Sequence, residues 1–141
     1  METIAKTNIT VETVVNAPVE KVWAYWNEPK HITKWCQASE DWHAPYSEND
    51  LREGGKQKTT MAAKDGSFSF DFECTYDKVQ PNKLIEYTIA DGRKVKIVFT
   101  AHDSKTKVTE TFEAETSNPV DMQRGGWQAI LDSFKKYTEG N

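Results

Sequence analysis

The chain closes on a stretch that only burial can satisfy, Asn118 to Tyr137, reading NPVDMQRGGWQAILDSFKKY. Val120, Trp127, Ile130, Leu131 and Phe134 recur at the spacing that brings them to one face of an α-helix. Asn118 is placed to cap it, Pro119 to fill the first helical position, and Asp121 lies in the first turn. Lys135 and Lys136 fall in the last turn, where cations suit the helix dipole, and Gly140 follows as a stop. A helix of this length spans roughly 30 Å, the width of a small domain. It therefore needs an apolar surface of matching length. Gly125–Gly126 interrupts it at a cost of up to about 1 kcal/mol per glycine relative to alanine. The pair implies close backbone approach, or open space beside Trp127.

The matching surface lies upstream. Phe68, Phe70, Phe72, Cys74 and Tyr76 alternate with Ser69, Asp71, Glu73 and Thr75, the signature of a strand with one apolar and one wet face. Further strands are expected over Asn8 to Asn16, Tyr46 to Arg52, Lys56 to Ala63, Leu84 to Ile89, Arg93 to His102 and Lys107 to Glu115. Asp65–Gly66 and Asp91–Gly92 are hairpin turns between them. Ala17–Pro18 opens a helix carrying Val19, Val22, Trp23 and Trp26, and Pro29 ends it and starts a second short helix with Ile32 and Trp35. The stretch Cys36 to Pro45 reads as irregular. The order is one strand, two short helices, about six antiparallel strands and one long helix, a single α+β domain over residues 1–141. A curved sheet wrapped around a helix leaves room between the two layers, so a cavity is expected.

Composition limits the partners. The 141 residues include five Trp, five Tyr and six Phe, carry a net charge of −4, and contain no basic block, which argues against nucleic acid. No apolar run approaches the roughly 20 residues of a membrane span. The N-terminus, METIAKTNIT, has no signal-peptide core, and Cys36 and Cys74 have no metal-type spacing, so a cytoplasmic location is expected. No nucleotide or phosphate loop is present, and His31, His43 and His102 do not stand at metal-ligand spacing, so no cofactor or metal is expected.

Several segments together resemble a known family. Ala17-Pro18-Val19-Glu20-Lys21-Val22-Trp23, Pro29 through Trp35, Asp50-Leu51-Arg52-Glu53-Gly54-Gly55, Asp65–Gly66 and Gly126–Trp127 with Ile130–Leu131 are similar to the START/Bet v 1-like (SRPBCC) superfamily. Within it, they resemble the branch named for the activator of Hsp 90 ATPase homologues. The resemblance implies a helix-grip fold, a curved antiparallel sheet of about six to seven strands around the C-terminal helix. It also implies a deep pocket that in relatives holds hydrophobic or amphipathic small molecules.

Candidate pocket residues follow from strand parity and helix face: Met61, Phe70, Phe72, Tyr87, Phe99, Met122 and Trp127, with Tyr87 and Trp127 offering polar handles. Glu110 shares a side with Val108 and Phe112, where a carboxylate is costly unless paired. It is either an anchor for a polar ligand group, with a raised pKa, or a rim residue paired with Lys or Arg. Arg124 is the rim partner nearest the glycine pair, or points to solvent. Glu40-Asp41-Trp42-His43 offers a carboxylate beside a histidine for acid–base work, against a simpler reading as a solvated loop in which Trp42 packs. The favoured function is non-enzymatic binding of a small hydrophobic or aromatic molecule by a monomer or weak homodimer without membrane insertion. The alternatives are a cyclase- or hydrolase-like enzyme using Glu110 or His43, and a module that contacts the Hsp 90 chaperone.

Overall fold

β-Branched residues fill the first strand, β1 (Asn8–Val15), which turns Ile9, Val11 and Val15 inward. After Pro18 the chain enters α1 (Val19–Asn27). Glu28 closes α1 by donating its N–H to the Ala24 carbonyl at 2.9 Å and also opens α2 (Pro29–Trp35), with Pro29 in its first turn. Six strands follow: β2 (Trp42–Asn49), β3 (Lys56–Ala63), β4 (Ser69–Gln80), β5 (Leu84–Ile89), β6 (Lys94–His102) and β7 (Lys105–Glu113), before α3 (Val120–Gly140). This computed structural model describes residues 7–141; residues 1–6, which carry part of the stretch read as leader-free, lie outside the described residues.

All seven strands form one curled antiparallel sheet in the order β1-β7-β6-β5-β4-β3-β2. Hairpin follows hairpin from β2 to β7, and β1 then docks on β7 with Val11 opposite Glu110. β1 and β2 are therefore the two edges, and each is managed differently. Along β1, α3 satisfies backbone groups directly: Gln128 Nε2 donates to the Glu12 carbonyl (3.2 Å) and Lys135 Nζ to the Val14 carbonyl (2.9 Å), while the Asn16 N–H donates to Glu139 Oε2 (2.8 Å). β2 carries Pro45 and a register shift between His43 and Tyr46. A proline without an N–H is tolerated in an edge strand of this kind.

α3 buries Leu131 and Phe134 completely, and Phe134 receives the edges of Trp26 (4.8 Å) and Trp35 (5.0 Å). Ser133 Oγ donates to the Trp35 carbonyl (2.7 Å) and Trp35 Nε1 to the Tyr25 carbonyl (2.9 Å), so the three helices are locked together. They pack mainly on β1, β2, β6 and β7, leaving the middle strands β3 to β5 without a close helical cover.

The structure moves several boundaries. β2 begins at Trp42, within the stretch expected to be irregular, because pairing with β3 overrides the breaker Pro45 at an edge. Asn118 does not cap α3: its side chain donates to Glu115 Oε1 (2.7 Å), and Pro119 stands at the cap position. The helix continues past Tyr137 to Gly140, so Gly140 lies within it and neither Lys135 nor Lys136 stands in its last turn; Lys135 reaches forward to pair with Glu139 (2.6 Å). Phe68 precedes β4 and is 59% exposed, because the β3–β4 hairpin runs on beyond the helices.

The glycine pair is settled by geometry. A Cβ at Gly125 or Gly126 would meet nothing within 4 Å, so there is no close approach there, only open space. Gly55 is the opposite case. It sits where the Asp50–Gly55 turn bonds to β4, through Gly54 N–H to the Tyr76 carbonyl (2.8 Å) and Tyr76 N–H to the Gly55 carbonyl (2.9 Å). A Cβ at Gly55 would collide with the Asp50 carbonyl oxygen. Urea denaturation should therefore show Gly125→Ala and Gly126→Ala each raising stability by roughly 0.5–1 kcal/mol. Gly55→Ala should lower it by about 1–3 kcal/mol; equal effects at the two places would contradict this assignment.

Candidate functional site

Between the uncovered middle strands and the helices lies a cavity of about 290 Å³. That is near the lower end of the usual range for small-molecule sites, about 300–1,000 Å³. β3 contributes Gln57, Thr59 and Met61; β4 contributes Phe70, Phe72 and Tyr76; β5 contributes Ile85 and Tyr87; and β7 contributes Glu110. From the helical side come Trp26, Ile32, Trp35 and Cys36, with Trp127 and Ile130 from α3, and Arg93 closes the end beside the β5–β6 turn. Phe70 is 42% exposed and marks the mouth. The walls are predominantly apolar and aromatic.

One polar wall is internally satisfied. Thr59 Oγ1 donates to Gln57 Oε1 (3.3 Å), Gln57 Nε2 to the Tyr76 hydroxyl (3.0 Å), Tyr76 to Asn49 Oδ1 (2.7 Å), and Asn49 Nδ2 to the Asn27 carbonyl (2.7 Å). This chain ties β3 and β4 to the end of α1 and presents little unused capacity.

Glu110 is different. It is 5% exposed, lies between Val11 of β1 and Ile97 of β6, and makes no hydrogen bond or ion pair with any described residue. The register of β7 with β1 and β6 is unbroken around it, so no bulge carries it to the rim. Of the two readings open in the sequence, the inward one holds. Burial alone pushes its carboxyl up to about 8. Its negative charge, where present, acts on its neighbours: Cys36 is pushed to about 12 by burial and then by Glu110, and Tyr87 is raised by the same two causes in the same order. The Tyr87 hydroxyl also makes no hydrogen bond with any described residue. A carboxyl and a phenol thus stand unpartnered inside an aromatic enclosure.

Of the residues expected from sequence, Met61, Phe70, Phe72, Tyr87, Glu110 and Trp127 come together on this cavity. Phe99 and Met122 do not. Phe99 has inward parity but packs against Trp23 (5.2 Å) and Trp26 (6.0 Å), because α1 sits over β6 and fills that space. Met122 is 65% exposed; the inward position of that turn belongs to Gln123, whose amide bonds the Glu115 N–H and carbonyl and the Asn118 carbonyl. Trp127 is fixed by stacking on Phe112, with ring centroids 3.9 Å apart and planes 10° from parallel.

Gln57, Thr59, Tyr76 and Ile85 were missed, although each shares strand parity with a residue already chosen. Trp26, Ile32, Trp35, Cys36 and Arg93 carried no such signal, since their place depends on how the helices and the β5–β6 turn meet the sheet. Arg124 pairs with Asp121 (3.0 Å) at the surface. In the Glu40–His43 segment the two carboxylates are exposed, Trp42 packs against Phe68 (6.0 Å) and Phe70 (6.1 Å), and His43 is outside the cavity lining. Among the described residues no group of side chains is arranged to hold a metal ion, and no helix is long and apolar enough to cross a membrane.

Comparison with known proteins agrees with this architecture. Residues 16–139 match the family model described as Activator of Hsp90 ATPase homolog 1-like protein. The solution structure of Chr148 from Cytophaga hutchinsonii is 62% identical, with a TM-score of 0.82 over 95% of this chain and 93% of that one. The solution NMR structure of the AHSA1-like protein from Aeromonas hydrophila is 42% identical, with a TM-score of 0.90 over 95% of this chain and 93% of that one. Protein NE0264 from Nitrosomonas europaea, at 19% identity and a TM-score of 0.81 over 94% of each chain, shares the fold. No match is found among curated proteins. With its sheet, its terminal helix and nearly its whole length matched, the chain belongs to the family of Activator of Hsp90 ATPase homolog 1-like proteins, within the SRPBCC/Bet v 1-like superfamily.

Proposed function

We propose that the protein is a binding module for a small hydrophobic or aromatic molecule held in the cavity between sheet and α3. The observation that carries this reading is the pair of unpartnered groups, Glu110 and Tyr87, inside an aromatic wall. Taking a carboxyl out of bulk water carries a desolvation penalty on its charged form, seen in the rise of Glu110 to about 8. An apolar side chain between Val11 and Ile97 would avoid that penalty. A carboxyl kept there is suited to a ligand that completes it. Three of the five Trp, namely Trp26, Trp35 and Trp127, line the cavity and serve as internal reporters.

An acid–base enzyme would use the same carboxyl, whose pKa of about 8 lies near neutral pH. Binding is favoured because burial raises the neighbouring Tyr87 phenol and pushes the Cys36 and Cys74 thiols up to about 12, so all three stay protonated, away from the nucleophilic form. A chaperone contact would instead use the outer surface, and a binding isotherm with Hsp90 measures it directly.

Titration with fatty acids, flavonoids and aromatic polyketides should quench tryptophan fluorescence and shift the indole N–H resonances of Trp26, Trp35 and Trp127. Silence toward every compound would remove the binding reading.

The state of Glu110 makes a separate prediction. Its folded pKa lies above the unfolded value, 4.5, so the folded state holds the extra proton between pH 4.5 and about 8. Stability is then full below pH 4.5 and falls through that window by up to about 1.4 kcal/mol per pH unit. Glu110→Gln, which cannot ionise, should remove this slope and be the more stable form at pH 8. Parallel denaturation curves for the two proteins across the window would refute the assignment.

A further inference from the structure

The chemistry of the ligand can be narrowed, on the premise that the cavity is a binding site. We infer that the ligand is an organic cation, an ammonium or amidinium group joined to an apolar or aromatic body, and that Glu110 receives the charged nitrogen.

The argument starts from what surrounds the carboxyl. Along β7 its inward neighbours are Val108 and Phe112, and across the sheet stand Val11 and Ile97. The titratable groups facing it are Tyr87 from β5, with Cys74 and Tyr76 from β4 close by, and Cys36 at the end of α2; each is neutral at physiological pH. Among the described residues, the one cation lining the cavity, Arg93, is already engaged: its Nε lies 2.8 Å from Asp91 Oδ2 and its guanidinium donates to the Glu113 carbonyl (3.3 Å). Among the described residues, then, no positive charge is available to Glu110.

Such a site discriminates by charge. An anionic ligand finds no available cation among the described residues to offset the loss of its hydration in a low-dielectric space. A neutral polar group contributes an ordinary hydrogen bond of about 1 kcal/mol net. A protonated nitrogen forms a charge-assisted bond roughly twice as strong, and the aromatic wall of Trp26, Trp35, Tyr87 and Trp127 suits a cation through the ring quadrupoles. Since Glu110 is protonated in the empty cavity near neutral pH, pairing must expel its proton to solvent: carboxylic acid plus ammonium becomes carboxylate–ammonium pair plus one released proton.

The test uses three compounds of one shape, phenylbutylamine, phenylbutanol and phenylbutyrate, in calorimetric titrations at pH 7 in two buffers of different ionisation enthalpy. The amine should bind tighter than the alcohol and phenylbutyrate weakest, amine binding should release about one proton, and the amine's affinity, unlike the alcohol's, should rise about fivefold from pH 7 to pH 8 as Glu110 gives up its proton. Glu110→Gln, checked for an intact amide spectrum, should bring the amine-to-alcohol ratio close to unity and abolish proton release. Alcohol or acid binding as tight as the amine would overturn the inference while leaving a binding cavity in place. So would amine binding by the parent protein without proton release, a measurement that does not depend on the variant folding. Binding of none of the three would overturn the inference together with the reading beneath it.

Discussion

The seam between α3 and the β1 edge is the contact on which the rest of the molecule depends. Leu131 and Phe134 are removed from water there, while Gln128, Lys135 and Glu139 occupy backbone groups that an edge strand would otherwise offer to another chain. Burying side chains of this size contributes about 1.5–3 kcal/mol each. Because Phe134 also takes the edges of Trp26 and Trp35, the same helix sets the position of α1 and α2. The three helices are thus arranged as one body on the β1, β7, β6 and β2 parts of the sheet.

The cavity is a consequence of that arrangement. A helix committed to the edge cannot also lie on β3, β4 and β5, and the curl of the sheet leaves a volume in front of those strands. Large aromatic side chains reduce it without closing it. The polar chain from Thr59 through Gln57, Tyr76 and Asn49 to Asn27 holds the far wall with its hydrogen bonds already made. Tyr87 stands directly beside this chain as the cross-strand partner of Tyr76, with ring centroids 6.2 Å apart, yet neither it nor Glu110 makes a hydrogen bond with any described residue.

Much of this was legible from the chain. Parity along Val108, Glu110 and Phe112 turns the carboxylate inward, and period-two alternation from Phe72 to Tyr76 finds the core strand. Alternation also shows its limit at Phe68 and Phe70, which obey the pattern and yet stand at or beyond the end of the cover. Periodicity states which way a side chain points, and it does not state whether another layer lies in that direction. Asn118 shows a second limit: a residue well suited to capping α3 lies one position before the cap, which Pro119 occupies, and its side-chain amide donates instead to Glu115.

By itself, the sequence determined the order of the elements, the inner face of each strand and the amphipathic face of α3, because these depend on local sterics and spacing. Only the tertiary structure decided that Phe99 would be filled over by α1 while Phe72, Tyr87 and Glu110 would border a void, and that Gly125 and Gly126 would face open space. The physical reason is that a cavity is a mismatch between two packed layers. Its place is set by where α3 meets the β1 edge, a contact between residues more than a hundred positions apart in the chain.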